Sequence, residues 1–257
     1  MDIGKIYKMR IFSLEDVANT FSITKNSAAK ALIRWKQKGI IQQIRKNMYT
    51  AVDLASSQPI VDKYEVASHV STTSYVGWHS ALEYHGLAHQ SYFVTHVGNE
   101  KRFNKFTFEG NEFEYFASPI GDFHDSGIIN PEGNPYVRVT DLERTFVDCC
   151  DKINRAGGAE ELLHCCEGLH KLNEIKIMKY LDLYGKAFLY QKVGFLLERI
   201  QKQINISTET IELCRNKGAL HTKRLTNDVD SDCFVSAWKL YVPSYYISEN
   251  TESYDLI

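Results

Sequence analysis

Leu14, Val17, Ala18 and Phe21 recur at the three- and four-residue spacing of one helical face. Ser13 precedes them, and Asp16 three residues on makes a capping-box spacing with the shorter acid. After a short turn at Ser22–Ile23, Thr24 offers a second N-cap. A helical pattern then runs from Lys25 to Lys38 with Ala28, Leu32 and Trp35 on one face. Gly39 is suited to the left-handed conformation that closes a helix. Two β-prone runs, 40–45 and 48–52, flank Lys46-Asn47 and predict a hairpin with a basic tip. Helix, tight turn, helix and basic hairpin are the parts of a winged helix-turn-helix, which predicts such a domain over residues 1–55.

Beyond 55–59, a turn-rich Ala-Ser-Ser-Gln-Pro linker, the pattern mixes periods. Residues 61–70 read as helix or strand, 73–86 as a helix ended by Gly86, and 91–97 as a strand. Residues 107–116 alternate around Glu109-Gly110-Asn111, a hairpin, and 136–139 predict another strand. Thr140 and Glu143 have capping-box spacing at the head of a helix running through Phe146, Val147 and Cys150. Further helices are predicted at 159–170, 173–184 and 186–203. The last fifty or so residues read as short strands and polar loops, with 238–243 as a closing strand. Strands followed by helices make the expected class α+β, with a larger mixed domain over 60–257 behind the head.

Charge is divided between these parts. Residues 1–53 hold ten Lys/Arg against four Asp/Glu, a net of +6, whereas the whole chain is at −2. The remainder is therefore at −8, and a basic head on an acidic body suits an anionic partner for the head. No apolar run approaches the ~18 residues of a membrane span, and the first residues lack a signal-peptide core. A cytoplasmic location is expected, with six free cysteines rather than a disulfide framework.

In a recognition helix the N-terminal turns face base edges in the major groove. Here those turns carry Thr24, Lys25, Asn26, Ser27 and Lys30, with Arg34 one turn further. Asn pairs with adenine in bidentate fashion and Lys reaches guanine acceptors. Arg45, Lys46 and Asn47 at the hairpin tip would follow the phosphate backbone or the minor groove. The expected partner is double-stranded DNA.

Tyr75-x4-Ser80-Ala81-Leu82-x2-His85-Gly86-Leu87, then Val139-Thr140-Asp141-x-Glu143-Arg144-Thr145-x2-Asp148, resemble the AbiEi family, antitoxins of type IV toxin–antitoxin systems. The likeness spans roughly residues 12–200, and the 238–243 strand is similar too. It implies a winged-helix head that binds inverted repeats in its own promoter and represses transcription. It also implies a C-terminal antitoxin domain that counteracts a nucleotidyltransferase-like toxin of the same operon in abortive infection, without requiring a stable complex. Family members can carry extra basic patches on that domain. In this acidic body only local groups, such as 221–224 or Lys101-Arg102, could supply one.

Other chemistry finds less support. Arg144 and Asp148, four apart on one helix, predict an ion pair that fixes the helix. Cys149-Cys150 and Cys165-Cys166 lack the Cys-x-x-Cys spacing of zinc sites and predict buried thiols. His85 and His89 are separated by the helix-ending Gly86, which argues against a shared metal face. The acidic run 228–232 lacks the glycine and glutamate of a calcium loop and reads as solvated. No enzymatic motif, cofactor or metal is expected. A ligand-responsive winged-helix regulator without a toxin partner, and an enzyme with a DNA-targeting head, stand as alternatives.

Overall fold

The computed structural model describes residues 3–117, 120, 126–227 and 230–247. It is a mixed α+β chain in two compact units. The first gathers residues 3–76, 93–116 and 130–138; the second gathers the described residues of 77–92, 117–129 and 139–247.

The first unit opens with a short helix and strand that periodicity did not signal, α1 (Ile3–Met9) and β1 (Ile11–Phe12). Two helices come next, α2 (Leu14–Phe21) and α3 (Lys25–Gln37), then the hairpin β2 (Ile41–Arg45) and β3 (Met48–Ala51). The Ser13–Asp16 capping box forms at α2, and Thr24 caps α3. Ser22 ends α2 in the left-handed region at φ 52°, turning the chain sharply into α3. β1 pairs antiparallel with β3 and β3 with β2, so the sheet runs β1-β3-β2. Ile6, Phe12, Val17, Leu32, Trp35 and Ile41 fill a common core beneath. The two missed elements complete it: Ile6 is fully buried although its helix is only seven residues long.

The 55–59 segment is not a free linker. Asp53 closes it as a turn by accepting from the Ala55 and Ser56 amides, and Val52 bridges to Pro59. Arg10 then ties the head to residues 60–65, donating to the Ile60 carbonyl (2.8 Å) and pairing with Glu65 (2.7 Å). Glu65 belongs to α4 (Lys63–Ser68). The compact units therefore divide elsewhere than at 55–60, because the head and α4 share these polar contacts.

The rest of the first unit is a sheet of β4 (Tyr75–Val76), β5 (Val94–Asn99), β6 (Phe106–Phe108) and β7 (Asn111–Ala117), in the order β6-β7-β5-β4. The predicted hairpin turns at Glu109 and Gly110, both at positive φ. β5 begins three residues later than the predicted strand. Gly98 leaves room for the Tyr75 ring, since a Cβ there would lie 2.1 Å from it.

In the second unit α5 (Trp78–Tyr84) precedes the hairpin β8 (Ile128–Ile129) and β9 (Val139–Thr140). α6 (Leu142–Asp151), α7 (Ala159–Glu167), α8 (Glu174–Tyr184) and α9 (Ala187–Ile204) lie close to the predicted spans. The cap of α6 differs: Asp141, not Thr140, accepts from the Arg144 amide, and Glu143 accepts from Asn173 N instead. α10 (Thr208–Lys217), capped by Ser207, replaces part of the loop expected there. Its sequence is polar and shows little periodicity, and it is held by α9. Short strands β10 (Lys223–Arg224), β11 (Cys233–Val235) and β12 (Leu240–Val242) form a last sheet. Within the acidic run, Asp228 and Val229 lie outside the described residues.

Gly194 in α9 lets the Trp238 ring lie flush on the helix. A Cβ would sit 2.2 Å from that ring and 2.7 Å from Cys214 Cβ. Alanine normally favours a helix over glycine by about 1 kcal/mol. Gly194→Ala is nevertheless expected to destabilise by about 1–3 kcal/mol through overpacking, read as a lower urea midpoint. Equal or greater stability would show that Trp238 can move aside.

Candidate nucleic-acid interface

α3 buries Ala28, Ala31, Leu32 and Trp35. At 100° per residue the opposite face is defined by Asn26, Lys30, Ile33 and Gln37, spaced i, i+4, i+7, i+11. All four are exposed, Ile33 at 59 %. An isoleucine so placed contributes nothing to the core. Its exposure, with Gln37 two turns beyond Lys30, marks two outward residues that the sequence reading did not select. The signal was available: a 3.6-residue wheel drawn from the buried alanines points to both.

The other predicted contacts divide by what already holds them. Thr24 spends its hydroxyl on the cap: its oxygen accepts from Ser27 N (3.2 Å) and its hydrogen goes to Ser27 Oγ (3.0 Å). Lys25 pairs with Glu15 of α2 at 2.9 Å, with both side chains largely exposed, a bond worth little in water and easily exchanged. Lys36, on the same flank, donates to Gln43 Oε1 at 2.9 Å. Ser27 and Arg34 line the opposite flank, exposed.

The hairpin tip separates into three roles. Lys46 is exposed at the turn. Asn47, at φ 57°, accepts through Oδ1 from the Leu14 amide at 3.0 Å, so it braces the tip against the N-terminus of α2. A cleft of about 320 Å³ lies there, lined by residues that include Ser13, Asp16, Arg45, Lys46 and His69. Arg45 turns away from the tip. It donates to the Val70 carbonyl at 3.1 Å and lies over the Phe103 and Phe106 rings, 5.7 and 5.3 Å from their centres. Burial lowers its pKa from the ordinary guanidinium value. The cause is a register shift between Gln43 and Arg45: a bulge re-aims successive side chains, so Ile44 is buried and Arg45 faces the other way.

In the second unit the paired motif residues are interior. Arg144 is fully buried. Its Nη1 donates to the Ser126 carbonyl (2.6 Å), and its Nε lies 3.5 Å from Asp148 Oδ2. Tyr184 donates to Asp148 and Tyr180 to Asp141, each at 2.7 Å. Burial pushes the Asp148 carboxyl up to about 6, against the pull of Arg144 and Tyr184.

Cys149, Cys150, Cys165 and Cys166 are buried free thiols, and burial raises each pKa above its ordinary value. His79 meets Glu161 at 3.2 Å, His85 Nε2 meets the Thr140 carbonyl at 2.8 Å, and the His89 amide donates to Glu161. His79 and the His89 amide thus share Glu161, while His85 serves the Thr140 carbonyl. Among the described residues no group of three His, Cys, Asp or Glu side chains is placed to hold a metal, and no helix is long and apolar enough to cross a membrane.

No family model matches the chain, and no curated protein matches it. Among solved structures it is similar to the RV2827C protein from Mycobacterium tuberculosis, with a TM-score of 0.60 and 11 % sequence identity. The match covers 93 % of this chain and 88 % of that one. At that identity the likeness is one of fold.

Proposed function

We propose that residues 3–52 form a winged helix-turn-helix that binds double-stranded DNA, and that the chain is a transcriptional autorepressor. The observation that carries this is the stripe Asn26, Lys30, Ile33, Gln37. An exposed helix face offers an amide, an ammonium, an apolar branch and a second amide in one line, on the helix that comes after a tight turn. Asn and Gln suit adenine, Lys suits guanine, and Ile suits the thymine methyl. The element order helix, strand, helix, helix, hairpin and the +6 charge of the first 53 residues support the same reading. Lys46 at the hairpin turn contacts a phosphate, while Thr24, Ser27 and Asn47 position rather than read.

The antitoxin part of the reading rests on the AbiEi-like residues. In it the second unit opposes a nucleotidyltransferase-like toxin from the same operon, in the cytoplasm and without catalysis of its own. The interior place of Arg144 and Asp148 suits a motif that shapes this unit rather than one that touches a partner.

A promoter–reporter fusion and co-expression with the adjoining gene test both parts. Repression of its own promoter and restored growth beside a toxic neighbour are the expected results. A reporter indifferent to the protein contradicts the first part, and unrelieved toxicity contradicts the second. For the hairpin tip, Lys46→Ala is expected to lower the dependence of log K on log salt by about one unit, with sequence preference unchanged. An unchanged slope removes Lys46 from the interface.

A further inference from the structure

The first turn of α3 carries a charge that the helix itself disfavours. Lys25 is the first residue of α3, and no acid stands in that turn. The N-terminus of a helix is partly positive, so an ammonium there is repelled. What meets Lys25 comes from the preceding helix: Glu15 Oε1 lies 2.9 Å from its Nζ.

The other described acids of the head are spent on backbone. Asp16 accepts from the amide and hydroxyl of Ser13, and Asp53 from the amides of Ala55 and Ser56. Asp2 lies outside the described residues. Among the described residues of the head, Glu15 is thus the acid that no amide holds, and its partner is a cation of the next helix. Its neighbour Leu14 donates to Asn47 at the hairpin tip. Glu15 therefore stands where the first turns of α2 and α3 and the tip of the hairpin come together, the one free carboxylate among Lys25, Lys30 and Lys46.

A lysine ammonium has three donors. With one on Glu15, two remain, and guanine offers two acceptors, N7 and O6, on its major-groove edge. Lysine is a point charge on a flexible stem, so a carboxylate on the neighbouring helix decides where those two donors point. The pair is worth little in water. Docking against DNA excludes water, and the attraction within the pair grows as the local dielectric falls.

We propose that Glu15 is a specificity-determining residue of the DNA-binding head: it holds the Lys25 ammonium at the base edges, where the two remaining donors take a guanine, and withholds it from the phosphate backbone. The proposal rests on the DNA-binding reading above and adds to it a guanine opposite the first turn of α3. Glu15 is a positioning residue that acts through Lys25. A free lysine gains from a phosphate of any sequence, whereas a lysine tied to a carboxylate gains most from a base with two acceptors.

The test is binding by the full-length chain to a duplex from its own upstream region, to the same duplex with each guanine replaced in turn, and to an unrelated duplex of equal length. Wild type, Glu15→Gln, Lys25→Ala and Glu15→Gln/Lys25→Ala are compared. In Glu15→Gln the freed lysine takes a phosphate of the unrelated duplex, so its salt slope should steepen by about 0.9 and its affinity rise roughly fivefold at ~0.15 M salt. The upstream duplex should gain less. Discrimination at one guanine, about 5- to 150-fold in the wild type, should shrink. The double variant should lose the steepening and match Lys25→Ala in base preference, and the melting temperature of Glu15→Gln should stay at the wild-type value. An equal rise on both duplexes with every base preference intact would make Glu15 a general repulsive charge and overturn the proposal, as would wild-type slopes and preferences in Glu15→Gln. A wild-type chain that binds neither duplex overturns the DNA-binding reading and this proposal with it.

Discussion

Asp148→Ala is expected to destabilise the second unit by about 3–5 kcal/mol at neutral pH, because it takes the Asp148 counter-charge from a buried guanidinium. For a domain of this size such a loss moves the melting temperature down by roughly 6–20 °C. Arg144 has no exposed surface, and the Ser126 carbonyl that accepts from its Nη1 is a neutral group. Arginine cannot escape by releasing a proton. Asp148 in the converse variant could take one up, since its carboxyl already titrates near 6. Calorimetry on the full chain reads the effect. A loss below about 1 kcal/mol would mean that other groups or water compensate Arg144, and the pair would not be what fixes the helix.

Asn26→Ala combined with Lys30→Ala is expected to weaken selective DNA binding by about 2–6 kcal/mol, at least some 30-fold. Both side chains are exposed on α3, away from its buried face, so the thermal midpoint should stay where it is. Their roles differ in kind from that of Lys46. Loss of a base-reading side chain relaxes preference at one position of the site, whereas loss of a phosphate contact lowers affinity for all sequences. A double variant with wild-type affinity would place the contact surface somewhere other than the outward face of α3.

The parts of this arrangement that could be read from sequence are those set by local physics. The Ser13–Asp16 box, the Thr24 cap, the turn at Lys46-Asn47 and the Glu109-Gly110 turn each depend on neighbouring residues alone, and each forms. So does the Arg144–Asp148 pair, since i,i+4 spacing on a helix puts the two on one face. What escaped was set by tertiary contact. α1 and β1 are too short to show a period, and they exist because Ile6 and Phe12 are covered by the rest of the head. α10 is a polar helix stabilised by its neighbour rather than by its own pattern. Arg45 was expected at the DNA because it stands at the basic tip of the hairpin. Beside the register shift between Gln43 and Arg45, its guanidinium goes instead to a carbonyl and two rings that lie far along the chain. The compact units do not divide at 55–60, for a similar reason. Pro, Gln and Ser look like a linker, but Asp53 folds them into a turn and Arg10 reaches across it to Glu65.

The most direct test of the central claim is a competition titration of the full-length chain on a labelled duplex from its own upstream region, against an unlabelled duplex of unrelated sequence. The account predicts binding that survives a large excess of unrelated competitor in the wild type and is lost in the Asn26→Ala/Lys30→Ala chain. Equal displacement by both competitors, or selective binding that the double variant retains in full, would contradict the assignment of sequence-specific DNA recognition to the outward face of α3.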